Sequence, residues 1–264
     1  MNKNVLAILA IVILVGVGGG ALYLFPKLSK PTPASTTDLT AIQAQIDSGE
    51  FATARTNLEQ LVASDNTNAE AYFLLGLACF NLQDYQKARE FFARSMELDP
   101  GRTAAVHHNL GALAYQTGEM DTAVQEFQAA LAIDPNDADS HYQLGATYLL
   151  MAFPENAAEP NPENLLMAQT EFEQSLVLVP DKPESLVGLS NVYMFQNKVP
   201  DAIELLEKAI EQVPDMSEAL FTLGRAYAVV GETEKAKQTL QRFLDTDPPD
   251  VWANEAQQLL DQLP

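Results

Sequence analysis

The sequence predicts an all-α protein assembled from one repeated pair of helices. Two recurring features lead to this prediction: a Leu-Gly pair returns about every 34 residues, and residues of fixed type follow each pair at fixed distances. The pairs are Leu75-Gly76, Leu110-Gly111, Leu144-Gly145 and Leu223-Gly224, with Leu189-Ser190 as a variant. A period of this length is typical of an array in which each unit packs against its neighbours.

The residues after each pair describe two helices in close contact. An alanine follows the second residue of the pair by twelve positions, a bulky residue comes four later, and a proline comes eight after that. The alanines are Ala88, Ala123, Ala202 and Ala236; the bulky residues are Phe92, Phe127, Leu206 and Leu240; the prolines are Pro100, Pro135, Pro214 and Pro248. Alanine and bulky residue share one face of a second helix, the glycine lets the first helix approach that face, and the proline ends the second helix.

This pattern resembles the tetratricopeptide repeat (TPR) family, and the segment His107 to Pro135, "HHNLGALAYQTGEMDTAVQEFQAALAIDP", is similar to a family average. The resemblance implies a right-handed superhelix (an α-solenoid) of about six helix-turn-helix units within residues 38–263. The expected units are about 35–68, 69–103, 104–137, 138–182, 183–216 and 217–250, followed by a capping helix over 250–263. The first unit is degenerate, because it keeps Ala54 and Leu58 but has Ile42 where glycine is expected.

The fourth unit contains extra residues. After Leu144-Gly145 the alanine is expected at residue 157, but the matching series is Ala168, Phe172 and Pro180, each displaced by eleven. We therefore expect an eleven-residue insertion, within residues 153–167, in the turn between the two helices. It is either a tolerated surface extension or a lip that contacts a partner. It lacks the acidic spacing and the glycine of a calcium loop.

The amino-terminal residues predict a membrane anchor. Val5 to Phe25 comprises 21 residues without a charge, which as a helix would span about 31 Å. A cleaved signal peptide is the alternative, because Gly19 and Ala21 have cleavage-like spacing. We expect an anchor over residues 1–25, a Pro/Ser/Thr-rich spacer over 26–37, and a single-pass membrane protein whose remaining region is extracytoplasmic.

Charge and motifs restrict the function. With 36 acidic and 15 basic residues the net charge is −21, so nucleic-acid binding is not expected. The acidity reflects either a well-solvated surface or a preference for basic partners. No catalytic motif is present, and no cofactor or metal site is expected; His107 and His141, at equivalent positions of successive units, are interpreted as packing residues. Cys79 is the only cysteine and is interpreted as a core residue.

The resemblance also implies a binding surface. In TPR proteins the first helices of successive units form a concave groove, and the groove positions of this sequence are mainly apolar and aromatic. They are Phe73, Leu77, Phe80, His108, Ala112, Tyr115, Tyr142, Ala146, Leu149, Val187, Asn191, Met194, Phe221, Arg225 and Ala228. We expect a non-enzymatic scaffold, tethered through residues 5–25, that binds a protein or peptide segment in this groove and assembles a membrane-associated complex. The alternatives are that these residues only pack within the array, or that the array self-assembles into a homo-oligomer.

Overall fold

A computed structural model of the chain describes residues 36–154 and 159–264. In these ranges it contains thirteen α-helices, one 3-10 helix (Pro100–Arg102) and no β-strand. The α-helices are α1 (Thr36–Asp47), α2 (Phe51–Ser64), α3 (Ala69–Asn81), α4 (Tyr85–Leu98), α5 (Thr103–Gln116), α6 (Met120–Ile133), α7 (Ala138–Met151), α8 (Pro162–Leu178), α9 (Pro183–Phe195), α10 (Val199–Gln212), α11 (Ser217–Val230), α12 (Thr233–Asp245) and α13 (Asp250–Gln262). The all-α prediction is confirmed.

Consecutive helices pack as pairs, α1 with α2 through α11 with α12, and α13 packs against α12. Among the described residues these helices form two compact units. The amino-terminal unit comprises residues 36–136 and contains α1 to α6; the carboxyl-terminal unit comprises residues 137–264 and contains α7 to α13. Each unit buries its own apolar side chains between paired helices.

The short turns inside the pairs share one geometry. A residue with positive φ sits in each of five turns: Gly49, Gln83, Gly118, Asn197 and Gly231. The next backbone N–H then reaches back to a carbonyl near the end of the first helix; that of Glu119, for example, donates to Ala114 at 2.8 Å. This bond satisfies a carbonyl that the helix end leaves free. In these five turns the chain therefore reverses through a left-handed residue.

Glycine in the first helix brings the paired helices together. A Cβ placed on Gly111 would lie 2.8 Å from the ring of Phe127, which is fully buried. In the carboxyl-terminal unit the ring of Phe172 meets two such glycines, because an added Cβ would lie 2.9 Å from it on Gly145 and 2.5 Å from it on Gly188. The ring of Phe172, which lies on α8, is therefore packed between α7 and α9.

The extra residues of the fourth pair are divided between a helix and a loop. The sequence interpretation placed all eleven in the turn, but α8 has 17 residues where α6 has 14, so three of them belong to its first turn. The cause is a local helix-start signal: the side chain of Asn161 accepts hydrogen bonds from the backbone N–H groups of Glu163 and Asn164, and Pro162 occupies the first helical position. The loop is closed at its base, where the Asn161 N–H donates to the Ala152 carbonyl at 2.7 Å.

The predicted anchor, residues 1–25, lies outside the described residues, as does most of the predicted spacer, residues 26–37. Thr36 and Thr37, which the sequence interpretation assigned to the spacer, belong to α1. Within residues 36–154 and 159–264, no helix combines the length and the apolar character that a membrane crossing requires.

Candidate functional site

The predicted binding residues of the amino-terminal unit lie on α3 and α5. Four of them, Phe73, Leu77, His108 and Tyr115, are buried, and Phe80 is half-buried. Their rings contact second helices: the centroid of the Phe73 ring lies 5.7 Å from that of Phe92, the His108 ring is 5.7 Å from Phe127, and the Phe80 ring is 6.0 Å from Tyr85. Aromatic pairs at this separation stabilise the helix pairs themselves.

The predicted residues of the carboxyl-terminal unit lie on α7, α9 and α11. Leu149, Asn191, Met194, Phe221 and Arg225 are buried, whereas Tyr142 is half-buried. The Phe221 ring is 5.0 Å from Phe243 and 5.2 Å from Trp252 of α13, and the Tyr142 ring is 6.0 Å from Phe172. In both units, therefore, most of the predicted positions contribute to packing, as the alternative interpretation proposed. Phe80 and Tyr142 are the partly exposed members of the set, and binding at these faces stays a prediction.

A set of polar atoms without hydrogen-bond partners accompanies Arg225. The Nη1 atom of Arg225, the Oγ1 atom of Thr222 and the Oε1 atom of Glu255 on α13 are buried, and none has a hydrogen-bond partner among the residues that the structure describes. Burial lowers the pKa of Arg225 to about 10, although the nearby Glu255 carboxylate acts in the opposite direction. Burial also raises the pKa of Glu255 against the effect of Arg225. Desolvated polar groups of this kind are costly.

Glu218 lies on the same face of α11, because Glu218, Thr222 and Arg225 are spaced by four and three residues. It is half-buried. Burial, together with repulsion from Glu184, raises the pKa of Glu218 to about 7. The sequence interpretation missed Glu218, Thr222 and Glu255, although the spacing on α11 could have placed Glu218 and Thr222 beside Arg225.

Acidic residues at the position equivalent to Glu218 in other pairs have basic neighbours. In the amino-terminal unit Glu70 accepts a hydrogen bond from Arg102. In the carboxyl-terminal unit the Nζ atom of Lys182 donates to Asp139 at 2.6 Å and lies 3.6 Å from Glu184. Among the described residues, Glu218 has no ion pair or hydrogen bond with a basic side chain, and residues 246–249, which precede α13, include no Lys or Arg.

The two equivalent histidines each pair with a carboxylate of the second helix. The Nδ1 atom of His107 lies 2.6 Å from Glu126, and that of His141 lies 2.6 Å from Glu171. The sequence interpretation treated these positions as apolar packing and did not foresee the acidic partners. In the described part of the chain, no group of three or more His, Cys, Asp or Glu side chains could hold a metal ion.

Comparison with known proteins identifies the repeats. Models of the tetratricopeptide repeat match residues 39–103 and 193–263, and a model described as TPR repeat matches residues 111–151. The tetratricopeptide repeat-containing protein trd-1 of Caenorhabditis elegans is 23% identical over 197 residues, which cover 75% of this chain. The CTR9 homolog of Arabidopsis thaliana is 33% identical over 85 residues, or 31% of this chain. The matched parts span only 23% and 7% of these two relatives.

Solved structures show the same fold. The structure of Pseudomonas aeruginosa pilF aligns with a TM-score of 0.69 at 18% identity, covering 83% of this chain and 95% of that chain. PilW, described as a type IV pilus biogenesis factor, aligns with a TM-score of 0.69 at 17% identity, covering 85% and 99%. YrrB, described as a TPR protein with an unusual peptide-binding site, aligns with a TM-score of 0.54 at 18% identity, covering 76% and 97%. At these identities the likeness is one of fold.

Proposed function

We propose that this chain, which carries tetratricopeptide repeats over residues 39–103, 111–151 and 193–263, is a non-enzymatic scaffold that binds a segment of another protein. In each unit the segment binds to the face that the first helices of that unit present, and a membrane-associated complex assembles on the chain. Residues 5–25 tether it to the membrane as a single-pass anchor, and the repeats lie on the extracytoplasmic side.

The observation that carries this proposal is the accessible aromatic surface on the first helices. Phe80 on α3 and Tyr142 on α7 are half-buried, whereas Phe73 and Phe221 at related positions are 1% exposed. A ring that is fixed on one side and open on the other can take up an apolar side chain of a partner with little loss of conformational entropy. Two proteins of the same fold agree with this proposal: YrrB is described as having a peptide-binding site and PilW as a pilus biogenesis factor.

The burial of Phe73 and Phe221 determines how the proposal is tested. Alanine at either position would remove a core ring and destabilise the repeat, so loss of binding would not identify a contact residue. We therefore use Phe80→Ser and Tyr142→Ser together. The matched control is Ile133→Ser on α6 with Val177→Ser on α8, two residues that are 53% and 72% exposed.

The experiment is quantitative affinity capture of the tagged full-length chain from membranes, compared between wild type and the two double variants. We expect the variant with Phe80→Ser and Tyr142→Ser to capture at least about fivefold less of each specific partner than wild type does. Aromatic anchors that become buried on binding contribute most of the binding energy of such interfaces. The control variant should retain the partners. Equal capture by all three proteins would refute binding at this face. Protease digestion of intact cells tests the anchor and its orientation. A full-length mass before digestion supports an uncleaved anchor, and digestion by protease added outside the cells supports repeats on the extracytoplasmic side.

The second candidate function, self-assembly, predicts a mass that rises with concentration in light scattering of the detergent-extracted chain. A monomer mass that does not change with concentration would refute self-assembly. No observation on the described residues favours it over binding of another protein.

A further inference from the structure

We infer that the carboxyl-terminal unit recognises a basic side chain, Lys or Arg, of its partner at Glu218. The inference rests on the proposed function, since it specifies the chemistry of the bound segment. It follows from three features: an acid whose basic neighbour is missing, unpartnered polar atoms on the same helix face, and the charge of the chain.

The first feature is a gap in the pattern of ion pairs. Asp139 and Glu184 stand at the same position of their helices as Glu218, and both lie within ion-pair distance of Lys182, at 2.6 Å and 3.6 Å. Residues 213–216 and 246–249, which flank the pair α11–α12, supply no Lys or Arg. A half-buried carboxylate without a counter-charge is unfavourable, and a partner's cation would remove that cost.

The second feature is the polar face along α11. Glu218, Thr222 and Arg225 are spaced by four and three residues, and Thr222 and Arg225 are 0% and 5% exposed with atoms that lack partners. Seven residues of helix separate Glu218 from Arg225 by about 10.5 Å.

This geometry specifies the segment further. A basic side chain of the segment pairs with Glu218, which is half-buried and can be reached from solvent, whereas Thr222 and Arg225 form the buried part of the same face. Glu218 and Arg225 do not neutralise each other, because the charge that acts on Glu218 is Glu184 and the charge that acts on Arg225 is Glu255. The third feature agrees: with 36 acidic and 15 basic residues, the chain attracts basic segments over a distance.

The test is selection of random 12-residue peptides displayed on phage by the full-length chain in mild detergent. Wild type is compared with Glu218→Gln, which keeps the side-chain shape, and with Glu211→Gln, an exposed acid on α10 as the matched control. One selected peptide is then synthesised in two forms, one with its selected Lys or Arg and one with Gln in place of that basic residue. Its affinity for each protein is measured by fluorescence anisotropy, and circular dichroism checks that the variants are folded.

We expect wild type and Glu211→Gln to select peptides with Lys or Arg at one fixed position, and Glu218→Gln to lose this preference. Replacing that basic residue by Gln should weaken binding to wild type about tenfold and leave binding to Glu218→Gln unchanged. Peptides selected by wild type without a basic preference would overturn the inference and leave the proposed function standing. No selection by any of the three proteins would overturn both.

Discussion

Substitution of Gly111 by alanine tests the packing that defines the repeat. A Cβ at this position would lie 2.8 Å from two ring carbons of Phe127, well inside van der Waals contact. The ring is fully buried between α5 and α6 and cannot move into solvent. We therefore expect the helices to separate slightly and the free energy of unfolding to fall by about 1–3 kcal/mol, the usual cost of overpacking a core.

The chain contains its own control for this substitution. In the fifth pair the glycine is replaced by Ser190 and the phenylalanine by Leu206, so this pair combines a Cβ with a smaller residue at the facing position. Phe127→Leu alone should cost about 1–2 kcal/mol because it leaves a cavity. The double variant Gly111→Ala, Phe127→Leu should cost less than the sum of the single variants by about 1 kcal/mol or more.

The assay is urea denaturation of the full-length chain in mild detergent, followed by circular dichroism, with hydrogen exchange to locate the effect in α5 and α6. Gly118→Ala serves as a second reference, since its φ is +80° and no atom lies within 4 Å of an added Cβ; it tests backbone strain without a clash. Additive costs of Gly111→Ala and Phe127→Leu would refute the steric argument.

Three further predictions concern the turn, the acidic face and the inserted loop. Gln83→Gly should raise the free energy of unfolding by up to about 1 kcal/mol, because φ at this residue is 61°; an unchanged or lower urea midpoint would contradict it. Glu218 has a pKa of about 7 against an ordinary 4.5, so the folded state favours the protonated form and stability falls as pH rises from 4.5 to 7. Glu218→Gln should therefore match wild type near pH 4.5 and exceed it by about 1 kcal/mol above pH 7, a value reduced for partial solvent exposure; a constant difference across urea titrations at several pH values would refute this. Phe153→Ala should speed hydrogen exchange around the loop, because the ring lies 4.3 Å from that of Phe195, whereas Leu166→Ala, 60% exposed, should not; equal exchange in both variants would show that the ring does not hold the loop.

The helices were predictable because their signals are local and repeated. The Leu-Gly pair and the spacing to Phe127 specify both the two helices and their close contact, and the left-handed turn follows from residues such as Gly118. The start of α8 was not predicted, because a cap at Asn161 outweighed the periodicity on which the alignment rested. A periodic pattern gives the pairs, but the capping residues decide where a helix begins.

The binding surface was harder to predict. The groove positions of the family carried over to Phe73 and Phe221, yet both are core residues here because second helices and α13 cover them. The exposure of a groove residue depends on the volumes of the side chains that pack against it, and the repeat pattern does not specify those side chains. A comparison of equivalent positions in the sequence could have shown that Glu218 lacks a basic neighbour. That this absence matters became clear only from the structure, in which Lys182 forms ion pairs with the equivalent acids Asp139 and Glu184.

The ring of Phe172, in contact with both Gly145 and Gly188, has a consequence for how the carboxyl-terminal unit responds to load. In repeat arrays the interface between neighbours sets how far unfolding spreads. Because one side chain completes the core of its own pair and the contact with the next, losing either contact exposes the same ring. Under a pulling force the pairs α7–α8 and α9–α10 would therefore yield together, as a single mechanical element with one rupture force.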